Sequence, residues 1–324
     1  MTKFMRSIGP SLLLLVSLVF YLITVGQAVS PVTYNLQVGA MGNIESINNS
    51  GLRAEIRMNL YHVKAPEDDS FWVGENLAND RFIQFGYGIE PQGNYCVSTE
   101  VGPGLPRTCS RDYLTVNGSE PLWFWSYFPN ASYFYYGLGK FGLDGVNGSW
   151  HVYSINPNSN GEWAFVLDGH QIVNTTFLAT RSKDQAGFIA EKVTNFTTPG
   201  QLGPVEFRNL AYLKPDGWHA VTGLYAIVNC GMNPSCIPIP YGVSLLGPNH
   251  IIAGSGVLQP KDGELLWSST AQTTSVTSNT PTSLAITPTM PELLFGGLTV
   301  VALSIILVFE FVVLPRRKHT KELK

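Results

Sequence analysis

Trp150-His151-Val152-Tyr153-Ser154-Ile155, followed by Gly161-Glu162-Trp163-Ala164-Phe165-Val166-Leu167-Asp168-Gly169, decides the fold class. Both segments are short and rich in aromatic and β-branched residues. Asn158-Ser159-Asn160-Gly161 separates them and Asp168-Gly169 closes the second, so the stretch reads as antiparallel strands joined by tight turns. The same texture returns at 52–63, 82–87, 123–128, 188–193 and 205–213, with Gly, Pro, Asn or Asp in the gaps. No long amphipathic helix interrupts it and no repeat of fixed period is visible. The expectation is an all-β fold, two antiparallel sheets packed as a jelly-roll sandwich, over residues 29–267.

Outward from that region the chain changes character at both ends. Lys3 and Arg6 precede an apolar run from Ser11 to Val25 that ends in Gly26-Gln27-Ala28, the pattern of a secretory signal spanning residues 1–28. Residues 268–291 are Ser/Thr-rich with interspersed Pro, too poor in apolar surface to fold, and read as a stalk. Residues 292–314 then read as a transmembrane helix. The run from Leu293 to Leu314, at ~1.5 Å per residue, is long enough for a hydrocarbon core of ~30 Å and would contact membrane lipid. Glu310 lies near its end, within reach of Arg316 and Arg317 by snorkelling. The basic residues of 315–324 mark the cytoplasmic side, so the expected location is the cell membrane, single-pass, with the N-terminal domain outside. Met290-Pro291-Glu292 ahead of the span also has the look of a transpeptidase sorting signal.

Only 13% of residues are charged and the formal net charge is −3, which argues against nucleic-acid binding because phosphates demand a concentrated basic footprint. Sequons at Asn48, Asn117, Asn130, Asn147, Asn174 and Asn195 fit a glycosylated extracellular domain. Cys96, Cys109, Cys230 and Cys236 allow three pairings; in an oxidising compartment the nearest-neighbour set, Cys96 with Cys109 and Cys230 with Cys236, is favoured. A zinc site is the rival, without Cys-x2-Cys spacing or a nearby His. No cofactor or metal is therefore expected. The acidic run Glu67-Asp68-Asp69 reads as a solvated turn, since no further carboxylates give it calcium-loop spacing.

The opening stretch resembles the paired strands of concanavalin-like lectin and glucanase domains. A more pointed likeness is to the glutamic peptidases called eqolisins, of the same jelly-roll class. It rests on Trp72-Val73-Gly74, Ile83-Gln84-Phe85-Gly86, Trp125-Ser126-Tyr127-Phe128-Pro129, Ala186-Gly187-Phe188-Ile189-Ala190-Glu191 and Val205-Glu206-Phe207-Arg208-Asn209, in the family's order. The likeness implies that Gln84 and Glu191 are catalytic, with Trp72 and Trp125 contacting a polypeptide substrate. The carboxylate would activate water and protonate the leaving amine while the amide N–H holds the oxyanion, in acid. Ser126 stands where the family has an acid, and Gly187-Phe188 replace Glu-Trp. The competing expectation is a noncatalytic, lectin-like or adhesive ectodomain that binds surface glycans through Trp123, Trp125, Tyr133, Tyr135 and Tyr136 on a concave sheet. A jelly-roll glucanase is a weaker third: its Glu-x-Asp-x-x-Glu strand is absent.

Overall fold

The structure, a computed structural model, describes residues 32–269 except 45–50, 78–80, 102–107, 110–111, 131–132, 143–144, 179–181 and 231–235. The expected signal, membrane span and tail, and all of the stalk but its first two residues, lie outside the described residues, as does Asn48. Among the described residues no helix is long and apolar enough to cross a membrane.

The chain runs through β1 (Tyr34–Asn43), β2 (Leu52–Arg57), β3 (Asp68–Leu77), β4 (Arg81–Glu90), β5 (Gly93–Cys96), β6 (Ser98–Val101) and β7 (Thr108–Cys109). It continues through β8 (Tyr113–Val116), β9 (Glu120–Asn130), β10 (Tyr133–Lys140), β11 (Trp150–Pro157), β12 (Glu162–Leu167), β13 (His170–Leu178) and β14 (Ser182–Thr194). The last elements are β15 (Val205–Lys214), β16 (Gly217–Ala220), β17 (Gly223–Asn229), β18 (Tyr241–Gly247), β19 (His250–Ser255) and β20 (Leu265–Ser268).

Two antiparallel sheets result. The larger, sheet A, has the order β20-β17-β1-β14-β3-β4-β9-β10-β6-β7, and the smaller, sheet B, β13-β12-β11-β2-β15-β19-β18 with β16 beside β15. The expected all-β sandwich of two antiparallel sheets is what forms. Its core is filled from both sides by alternate residues, as a period of two requires. Phe71, Phe85, Tyr87 and Phe188 come from sheet A, and Ile56, Tyr153, Phe165 and Phe207 from sheet B, all fully buried. Phe85 meets Tyr153 and Phe165 edge-on, with ring centroids 5.2 and 5.5 Å apart.

The opening stretch of sequence forms the meander β11-β12-β13. At Asp168-Gly169 both residues have positive φ, 51° and 82°, the backbone of a two-residue hairpin turn whose twist matches its strands. Both disulfides pair nearest neighbours, Cys96 with Cys109 and Cys230 with Cys236. The first fastens the excursion between β4 and β9. There β5 pairs with β8, and Tyr95, Leu114 and Val116 fold over the outer face of sheet A onto Trp72, Leu122, Phe124, Leu138 and Ile189. Sheet A is therefore apolar on both faces around β9.

The acidic run is not a solvated turn. Glu67 and Asp69 are buried and share a fully buried cation: Lys192 Nζ lies 2.6 Å from Asp69 and 3.2 Å from Glu67. Thr194 Oγ1 and the Gly200 N–H donate to Glu67, and Tyr61 OH to Asp69. Glu67 and Asp69 each gain more than one donor, which offsets part of the cost of removing charge from water.

Candidate functional site

Gln84 and Glu191 both stand on the outer face of sheet A, buried. The register does not bring them together. Glu191 lies opposite Ser70 and Gln84 opposite Gly74, so they are two strands and four residues apart. At ~3.3 Å per residue and ~4.8 Å per strand, their Cα atoms are about 16 Å apart. Trp72 stands between them, its Nε1–H donating to Glu191 Oε2 at 2.8 Å. Ser70 Oγ donates to the same oxygen and Gln37 Nε2 to Oε1, each at 3.3 Å. The amide that faces Glu191 therefore comes from β1, directly opposite in the ladder, and not from β4. Burial pushes the Glu191 carboxyl above its ordinary range against the pull of those donors.

Further carboxyls share this face. The β3–β4 ladder, continued one step past Asp69 and Ile89, sets Asp68 against Glu90. Burial, with repulsion from Asp69 and Glu191, raises Asp68 to about 7, and burial with repulsion from Asp68 and Asp69 raises Glu90 well above normal. Among the described residues no group of three or more His, Cys, Asp or Glu is placed to hold a metal ion.

Trp125 occupies the opposite face from Gln84. It is paired with Phe85 and packs on Phe165 of the other sheet at 5.3 Å, so it belongs to the inter-sheet core. Trp123 and Tyr135 also pack against that core, while Tyr136 joins the outer cluster beneath the β5–β8 excursion. The anticipated aromatic platform is thus split between two faces.

An open cleft of about 370 Å³ lies instead on the outer face of sheet B, lined by Arg53, Glu55, Asn209, Trp218, Asn249 and their neighbours. Trp218 is delivered by the β15–β16 hairpin, opposite Leu213, and the Arg53 guanidinium sits 4.6 Å above its ring. Glu55 is held by Asn209 Nδ2 at 2.6 Å and Arg208 Nε at 2.7 Å. Asn209 and Asn249 adopt positive φ, 54° and 52°, which Asn takes more readily than most non-glycine residues. The Asn249 Oδ1 is buried with no hydrogen-bond partner among the described residues. Nothing in the sequence reading singled out this cleft. Its residues come from β2, β11, β15, β16 and the β18–β19 turn, and only the register gathers them.

No family model matches the chain, and no curated protein matches it. A solved structure with some similarity is porphyranase B from Zobellia galactanivorans, 13% identical over 68% of this chain and 75% of that one, with a TM-score of 0.22. At that superposition the likeness says nothing about a shared site, and the sandwich assignment stands on the chain's own sheets.

Proposed function

We propose that the protein is a membrane-anchored, cell-surface β-sandwich that binds glycans, without chemistry, in the sheet B cleft. The observation that carries this is the convergence of one indole ring with a guanidinium, a carboxylate and two side-chain amides on a single open depression. A sugar presents an apolar C–H face and a rim of paired hydroxyls. Trp218 offers the ring face not covered by Arg53 for the first, and Glu55, Asn209, Asn249 and Arg53 the donors and acceptors for the second. The test is a glycan array probed with the full-length chain. Binding lost in Trp218→Ala and weakened in Glu55→Gln, with melting temperature unchanged, supports it. An empty array, or undiminished binding by Trp218→Ala, removes it.

A second reading has one specific support. Glu191 is a buried carboxyl with an amide facing it at 3.3 Å, the pairing that water-mediated acid hydrolysis of peptides uses, with Gln37 in the place expected for Gln84. Cleavage of denatured protein near pH ~3, below an ordinary Glu pKa, and abolished by both Glu191→Gln and Gln37→Ala would favour it over glycan binding.

A further inference from the structure

One end of sheet B carries a group of side chains that neither reading uses. Ser149 immediately precedes β11 and His151 lies within it, two residues on, so both project to the same side. Asp168 reaches them from the turn of the next hairpin, where its φ of 51° is fixed by the Asp-Gly turn. Ser149 Oγ is 2.8 Å from His151 Nε2, and His151 Nδ1 is 2.7 Å from Asp168 Oδ2. The other carboxylate oxygen accepts the Val152 N–H at 2.7 Å, which locks Asp168 to the strand that bears the histidine. The imidazole is 4% exposed and lies against the Phe141 ring, 5.2 Å between centroids.

The order of protons follows from this geometry. Burial alone would raise the Asp168 carboxyl, but the hydrogen bonds from His151 and Val152 outweigh it and hold it below the usual range. An ionised carboxylate only accepts, so Nδ1 carries a proton, and Nε2, when it carries none, presents its lone pair to the serine. Ser149 Oγ donates to the Val146 carbonyl oxygen at 2.6 Å, so its proton must swing from there to Nε2.

We propose that Ser149, His151 and Asp168 act as a nucleophilic triad that hydrolyses small, uncharged carboxylic esters. Ser149 Oγ adds to the ester carbonyl carbon as its proton passes to His151 Nε2. The carbon–oxygen bond to the alcohol then breaks, and the alcohol leaves with that proton. Water attacks the acyl-serine by the same route, releasing the carboxylic acid and restoring the hydroxyl. The N–H groups of Gly148 and Ser149 are committed to the Met58 and Val146 carbonyls. In the chain that carries no glycan on Asn147, the oxyanion is assigned to the exposed Asn147 amide, whose Oδ1 accepts the Leu60 N–H at 2.9 Å. The Phe141 ring covers one side of the imidazole. This inference is independent of glycan binding, for the cleft lies on the outer face of the sheet and the triad at its inner rim.

The test uses the full-length chain, produced without glycosylation because Ser149→Ala would also remove the Asn147-Gly148-Ser149 sequon, with a fluorophosphonate reporter and with p-nitrophenyl acetate. The expected result is a covalent adduct mapped to Ser149 and ester turnover abolished by Ser149→Ala. His151→Gln should lower both labelling and turnover by about a hundredfold or more, the span of a lost general base. Ser149→Ala removes one oxygen and preserves the fold; its melting curve verifies that. No adduct on Ser149 in the folded wild type, or turnover equal to that of Ser149→Ala, overturns the assignment and leaves a hydrogen-bonded strut between the turn and the hairpin.

Discussion

Acid should stabilise this protein, and the structure gives a magnitude. Burial raises Asp69 from 3.8 to about 6 even with Lys192 beside it, and burial with repulsion from Asp69 and Glu191 takes Asp68 to about 7. A carboxyl whose folded pKa lies above its unfolded one keeps its proton longer in the folded state. Its stabilising contribution is complete below about pH 4 and disappears as pH rises through 6 and 7. At ~1.36 kcal/mol per unit, Asp69 alone contributes about 3 kcal/mol and Asp68 about 4. The two groups are coupled, so these figures are not simply added, and the loss between pH 4 and pH 8 is at least about 4 kcal/mol. Glu90 and Glu191, also raised by burial, act with the same sign. Asp168 and Glu206 are held low, against burial, by hydrogen bonds from His151 and from Arg57 and His250. Their contribution is present above the ordinary carboxylate range and is lost as pH falls through it, so they oppose the trend only at its acid end. Urea unfolding followed by tryptophan fluorescence at pH 4 and pH 8 measures the difference. Asp69→Asn should remove roughly half of it. Equal stability at the two pH values, or greater stability at pH 8, would refute the reasoning.

Three further outcomes follow from the packing. Lys192→Met strips the cation from two buried carboxylates and should cost about 3–5 kcal/mol in urea at pH 7, with a smaller loss at pH 4. Gly86→Ala drives a Cβ into the Phe71 carbonyl oxygen between neighbouring strands, and should cost about 1–3 kcal/mol by thermal melting. Reducing Cys96–Cys109, or the Cys96→Ser variant, reopens a loop of 13 residues' separation. It should cost about 2–4 kcal/mol and raise protease cleavage between β5 and β8 before any in the sandwich.

Much of the fold was legible because it is written at short range. The run 162–167 forms β12 over Glu162–Leu167, and the Asp-Gly pair makes the hairpin turn that its chemistry demands. The cysteine couples close as local loops. What the sequence hid was face. In β9 the residues Trp123, Trp125 and Tyr127 point into the sandwich, while Phe124, Ser126 and Phe128 point out. Both sets are apolar or small because the β5–β8 excursion covers the outer side, so the alternation that normally tells inside from outside is erased. Without it, Gln84 and Trp125 read as neighbours at one groove, although the sheet separates them.

The burial of Glu67 and Asp69 was illegible for a different reason. A charged triplet is a solvated turn unless a partner arrives, and here the partner Lys192 is 125 residues away from Glu67 in sequence. The same holds for function. Glu191 found an amide, but the strand order of sheet A supplies Gln37 from the chain's beginning in preference to Gln84. The Ser149–His151–Asp168 group combines a Ser-x-His spacing, which one strand aligns, with an Asp-Gly turn, which the next hairpin swings alongside. Each half is commonplace in sequence, and only the pairing of Tyr153 with Leu167 sets the register that places Asp168 beside His151. Shifting that ladder by a single residue would turn the aspartate to the other face and leave the histidine unoriented. Register, more than residue type, therefore decides which polar groups on this sandwich can act together.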